Sequence, residues 1–131
     1  MSLSNILFKL AKMPLGDFIV GAVFTHLTPI LPVNKIQETD KAVAFWHPKP
    51  YWEKHILIVP KKPIKNLFSI DSRNAVDSSY IMGCFELIQK VVKQQNWEDG
   101  SYSVLVNGGT IQEVNQLHFH LFSGGEVNEN S

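Results

Sequence analysis

The chain has 131 residues, 44% of them hydrophobic and 18% charged, with 12 basic and 12 acidic side chains and no net charge. That size and composition suit one compact domain with a single core and exclude a disordered chain. The neutral balance, with Arg73 the only arginine, excludes a basic nucleic-acid reader; the lone Cys84 excludes an internal disulfide or a cysteine-rich zinc site.

Residues 1–32 are expected to form a helical arm, with helical patterns over 3–12 and 16–27 separated by Pro14 and Gly16. Leu7, Leu10, Phe18, Val20, Val23, Phe24 and Leu27 can line one side of it, against the sheet or a second subunit. The apolar run from Leu15 to Leu31 is interrupted by Asp17, His26 and Pro29, so it is too short to span a bilayer. A peripheral membrane contact is the weaker alternative. No secretory leader pattern opens the chain, and a cytoplasmic location is expected.

Residues 33–125 carry the main domain. VNKIQET and KAVAFWH read as two strands joined as a hairpin at Thr39-Asp40, HPKPYWEK as a loop, and HILIVP as an apolar strand stopped by Pro60. From about Ser72 to Gln95 apolar residues recur every three or four positions (Val76, Tyr80, Ile81, Cys84, Leu87, Ile88, Val91, Val92), which predicts one long helix. Asp71 and Asp77 are its candidate N-caps, and NWEDG ends it. SYSVLVN reads as a strand, GGTIQE as a turn, and VNQLHFHLFS as the last strand, closed by Gly124 and Gly125; residues 126–131 read as a loose tail. The expected fold is α+β, a roughly five-stranded, mainly antiparallel sheet with one long helix and the extra N-terminal arm.

Within QLHFHLF, strand alternation puts Gln116, His118 and His120 on one face, with successive Cβ atoms about 6.5–7 Å apart, and Leu117, Phe119 and Leu121 on the other. An imidazole row on a rigid strand can supply a nucleophile toward phosphorus, a donor to developing negative charge, or a pair of metal ligands. The bland alternative is two histidines on the polar face of an edge strand. Upstream, Asn107, Gly108 and Gly109 can form a turn whose backbone N–H groups approach an anion, followed by Gln112 and Glu113. His55 opens a buried strand among Lys49, Lys54, Lys61, Lys62 and Lys65, a positive rim suited to a polyphosphate.

Taken together, KAVAFWHPKP, HILIVPKKPI, VNGG, QEVNQLHFHLF and the closing GG resemble the histidine triad (HIT) family, its small Hint-like nucleotide-binding branch most of all. The resemblance runs from about Val33 to Gly125. It implies an enzyme that cleaves at the α-phosphate of a nucleotide conjugate, such as a phosphoramidate or a dinucleoside polyphosphate, through a covalent nucleotidyl-histidine on His118. It also implies phosphate contact by His120, hydrogen bonds from Asn107 and Gln112, Glu113 near the leaving group, His55 across from the site, a homodimer, and no metal or other cofactor. Gln116 stands where the first triad histidine is usual; it can hydrogen-bond but cannot titrate. His47 falls where many relatives carry an acid for the ribose hydroxyls. The alternative reading is a nucleotide-binding protein with little or no turnover, and a third is a metal site of His118, His120 and His55.

Overall fold

Short runs of β-branched and aromatic residues bounded by turn formers build the strands, and the long three-and-four repeat builds the helix. The computed structural model describes Gly16, Ile19 and residues 34–127. Its elements are β1 (Lys35–Glu38), β2 (Ala42–Trp46), β3 (Trp52–Pro60), α1 (Ala75–Gln94), β4 (Ser103–Val106) and β5 (Phe119–Glu126). The sheet is antiparallel throughout, in the order β1-β2-β3-β5-β4. This is the expected α+β arrangement of five strands and one long helix. The helical arm over 1–32 and the tail over 126–131 fall outside the described residues, apart from Gly16, Ile19, Glu126 and Val127. Among the described residues no helix is long and apolar enough to cross a membrane.

Helix α1 covers one face of the sheet. Cys84, Leu87, Ile88, Val91 and Val92 pack on Ala42, Ala44, Ile56, Ile58, Phe119 and Leu121, all buried. Strand alternation then commits Val43, Phe45, Leu57 and Val59 to the opposite face, where they are buried as well. The two-sided burial of β2 and β3 explains why their sequences read as continuous apolar runs rather than as alternation.

Local chemistry corrects several expected boundaries. The N-cap of α1 is Asn74, not Asp71 or Asp77: its side-chain oxygen accepts from the N–H groups of Val76 and Asp77 at 2.9 and 3.1 Å. Asp77 instead takes Lys62 at 2.5 Å and the N–H of Asp71, and the Lys62 ammonium beside it holds its carboxyl below the usual carboxylate range. Asn96, at φ 61°, turns the chain out of the helix in the left-handed conformation. Strand β3 begins three residues before His55, so Trp52–Lys54, expected as loop, are strand; cross-strand pairing of Trp52 with Glu126 draws them in. Strand β5 begins only at Phe119 and runs through Gly124 and Gly125 instead of ending on them. Gly124 sits at φ +88°, with Glu53 where a Cβ would lie.

At Gly83 the helix lies close against the β1–β2 turn, where an added Cβ would come 2.5 Å from Lys41 Cβ. In an exposed helix interior Gly→Ala gains about 1 kcal/mol. At this contact Gly83→Ala is expected to lose about 1–3 kcal/mol, because a side-chain root on the β1–β2 turn cannot step aside. Urea unfolding measures it, and a gain in stability would show that α1 tolerates a larger spacing.

Candidate active site

Register builds the site. Phe45 pairs with Leu57 and Trp46 with Ile56, so His47, just past the end of β2, comes opposite His55, whose carbonyl accepts the His47 N–H at 2.9 Å. On the other side of β3, His55 pairs with Phe122 and Leu57 with His120, which makes His55 and His120 diagonal neighbours on the face away from α1. Three adjacent strands therefore carry a row of imidazoles. His47 stacks on His55 with ring centroids 4.3 Å apart, His55 and His120 are 5.0 Å apart, and His118 lies 5.1 Å from His120. Exposure is 6% for His47, 1% for His55 and 4% for both His118 and His120.

Hydrogen bonds to the main chain decide which ring nitrogen carries the proton. His118 Nδ1 lies 2.8 Å from the carbonyl oxygen of Gln116, which can only accept. Its hydrogen is therefore on Nδ1, and Nε2 keeps a free lone pair. His55 Nδ1 accepts the Tyr51 N–H at 3.0 Å, so the neutral ring carries its hydrogen on Nε2 and donates it to His120 Nδ1 at 2.8 Å. The hydrogen of His120 is then on Nε2. One nucleophilic nitrogen and one N–H donor result on neighbouring rings, each fixed by a partner behind it.

Burial keeps the cluster neutral. Desolvation, with the neighbouring imidazoles adding to it, pushes His47 and His120 down to about 4 and His55 to about 3. Burial also lowers His118, opposed by the Gln116 carbonyl and by the Glu113 carboxylate. These rings are uncharged near neutral pH, the state in which an imidazole can attack an electrophile.

The other expected residues divide. Gln116 stands in the bend just before β5, which begins at Phe119. Its side chain is committed to the turn after β3: Oε1 accepts from Ile64 N–H at 3.3 Å, and Nε2 donates to the carbonyls of Lys62 and Pro60 at 3.0 and 3.5 Å. Gln112 braces the loop by donating to the carbonyls of Lys65 and Val114 at 2.8 and 2.7 Å. Glu113 is exposed and accepts from the Tyr51 hydroxyl at 3.1 Å; Asn107 is half-buried just past the end of β4. Of the lysine rim, Lys61 and Lys62 are taken up by Glu38 and Asp77. Tyr51 was not singled out in the sequence, yet its N–H orients His55 and its hydroxyl holds Glu113. No motif marks it, since both roles depend on where the loop after β2 comes to lie.

Among the described residues, the one group of three that could hold a metal is His47, His55 and His120, whose candidate ligand atoms lie within 4.8 Å of one another; His118 is not in that group. The donor set does not fit as folded. With Nδ1 accepting from Lys49 N–H in His47 and from Tyr51 N–H in His55, Nε2 of each carries hydrogen and has no lone pair to offer. His120 Nδ1 already accepts from His55.

Comparison with known proteins gives the family. The HIT domain profile matches residues 29–127. A 14 kDa zinc-binding protein of Zea mays is 34% identical over 103 residues, covering 75% of this chain and 77% of its own length. The adenosine 5'-monophosphoramidase HNT1 of Candida albicans is 32% identical over 93 residues, covering 70% of this chain and 61% of its own. A solved histidine triad protein from Clostridium difficile superposes with a TM-score of 0.67 at 28% identity, covering 78% of this chain and 88% of its own. With the imidazole row on three paired strands and a profile match across most of its length, the chain belongs to the HIT domain family.

Proposed function

We propose that the protein is a nucleotide hydrolase that cleaves nucleotide conjugates at the α-phosphate through a covalent intermediate on His118. The observation that carries this reading is the bond from His118 Nδ1–H to the Gln116 carbonyl, which leaves Nε2 as the free, uncharged nucleophile. In the first step Nε2 attacks phosphorus, the P–N bond forms, and the bond to the leaving group breaks with its electron pair going to that group. The imidazole becomes cationic as it attacks. Glu113 favours that charge, since its carboxylate already raises the proton affinity of His118. His120 Nε2–H, polarised from behind by His55, is placed to donate to a non-bridging phosphate oxygen. Water then displaces the histidine and releases the nucleoside monophosphate. The relative from Candida albicans described as an adenosine 5'-monophosphoramidase supports a phosphoramidate as the first substrate to assay.

The alternative, a nucleotide-binding protein without efficient turnover, draws its force from Gln116. Its side chain holds the main chain of Pro60–Ile64, and only its carbonyl touches the nucleophile. A glutamine serves both purposes, which favours the enzyme.

His118→Ala is expected to lower kcat/KM for adenosine 5'-phosphoramidate by on the order of a thousandfold or more, with turnover in the unsubstituted protein unaffected by EDTA. Turnover that survives the substitution would exclude His118 as the nucleophile. Because burial lowers its pKa, the neutral His118 needed for attack persists on acidification, and the acid limb of kcat/KM is expected below the ~6.5 of free imidazole. Glu113→Gln should move that limb lower still, since it removes a group that raises the pKa; a limb at or above 6.5 counts against the assignment. Gln116→His is expected to leave kcat within about threefold, while Gln116→Leu should cost about 1–3 kcal/mol of stability for each main-chain group left unpaired. A sharp rise in kcat for Gln116→His would show instead that the glutamine weakens the chemistry.

A further inference from the structure

Tyr51 lies outside the histidine-bearing strands, yet its main chain and its side chain are both engaged around them. Its N–H donates to His55 Nδ1 at 3.0 Å, its carbonyl accepts from the Val127 N–H at 2.8 Å, and its hydroxyl donates to Glu113 Oε1 at 3.1 Å. The ring lies 5.3 Å from that of His47 and 5.5 Å from that of His55. One residue therefore ties together the loop after β2, the loop before β5 and the end of β5. A phenol bonded through its main chain on both sides, with its ring against two others, has little freedom, so its hydroxyl is a fixed point.

Glu113 is exposed, and a free glutamate at a surface turns through rotamers that point into water. The chemistry asks for one direction. When His118 Nε2 bonds to phosphorus, its ring gains positive charge beside rings that burial keeps neutral. The Glu113 carboxylate is the anion that acts on His118, and its pull falls with distance.

We propose that Tyr51 is a positioning residue whose hydroxyl holds the Glu113 carboxylate where it meets the positive charge that develops on His118. The assignment rests on the α-phosphate reading above and adds to it a residue outside the histidine strand. The two ends of Tyr51 then serve the two halves of the site. Its N–H sets the hydrogen of His55, and so the donor of His120; its hydroxyl sets the anion for the nucleophile. Because the charge on His118 exists only once bond formation has begun, the contact contributes to the transition state rather than to substrate binding. Tyr51→Phe keeps the ring and both main-chain bonds and removes the second function alone.

Steady-state kinetics of the full chain with adenosine 5′-phosphoramidate, arranged as a double-mutant cycle, test this. Tyr51→Phe is expected to lower kcat and kcat/KM equally, by about three- to tenfold, with KM within about twofold. In a Glu113→Gln background the same substitution should change kcat by less than about twofold, because the carboxylate it would hold is gone. Tyr51→para-aminophenylalanine, which returns an N–H donor to the same place, should recover kcat to within about threefold of the unsubstituted protein. Glu113→Asp repeats the test on an exposed residue, where folding is not at stake: it keeps the charge, draws it back from the hydroxyl and should lose a similar factor. A rise in KM at unchanged kcat would assign Tyr51 to binding, and a full loss repeated in the Glu113→Gln background would mean that the hydroxyl acts on the reaction directly. Either result overturns the proposal, as does an undiminished kcat in Glu113→Asp or no recovery with para-aminophenylalanine. Turnover that needs His118 but is indifferent to Tyr51→Phe overturns the Tyr51 assignment alone. No turnover in the unsubstituted protein, or turnover that survives His118→Ala, overturns both readings.

Discussion

The antiparallel register of β3 against β5 is the constraint from which the site follows. It brings His55 and His120 into a 2.8 Å hydrogen bond across two strands. A one-residue slip would send one of the two rings into the α1 face, because side chains alternate with a period of two. The register is held by apolar burial on both faces, so the site inherits its precision from the core rather than from its own polar bonds. Trp52 and Phe122, stacked at 3.7 Å beside His55, extend the same cross-strand match toward the sheet end.

Main-chain groups then set direction. Tyr51 N–H points at His55, His55 at His120, and His120 presents its remaining N–H; separately, the Gln116 carbonyl turns His118 the opposite way. Two histidines two residues apart in the chain thus come to present an N–H donor and a bare lone pair. Identical side chains acquire different roles because one ring has an acceptor behind it and the other a donor. Burial makes this division durable, since uncharged rings hold one tautomer while a protonated ring would donate from both nitrogens.

The glutamine at position 116 illustrates how a motif position can serve structure and chemistry through different atoms. Its side chain ties the Pro60–Ile64 turn to the segment leading into β5, and Leu117 N–H adds a bond to the Ile64 carbonyl at 2.7 Å. The carbonyl that orients His118 belongs to the same residue and would be present whatever the side chain. The lysines around the site likewise serve the fold in part: Lys61 and Lys62 pair with Glu38 and Asp77.

Much of this was legible in the residue order. The apolar spacing from Val76 to Val92 requires a helix, the short β-branched runs require strands, and the alternation of Leu117, His118, Phe119, His120 and Leu121 separates core from site. Those signals are local, because periodicity is a property of a single segment. Element ends were not legible in the same way: Asn74 rather than an aspartate caps α1, and β3 reaches back to Trp52 because a distant strand offers it partners. The roles of Tyr51 and of the Gln116 side chain needed the tertiary structure. Hydrogen bonds between segments dozens of residues apart decide tautomer and polarity, and no pattern within one segment encodes them. Residue order settled which chemical groups were available; strand register and main-chain contacts settled which ring nitrogens carry hydrogen and which a lone pair.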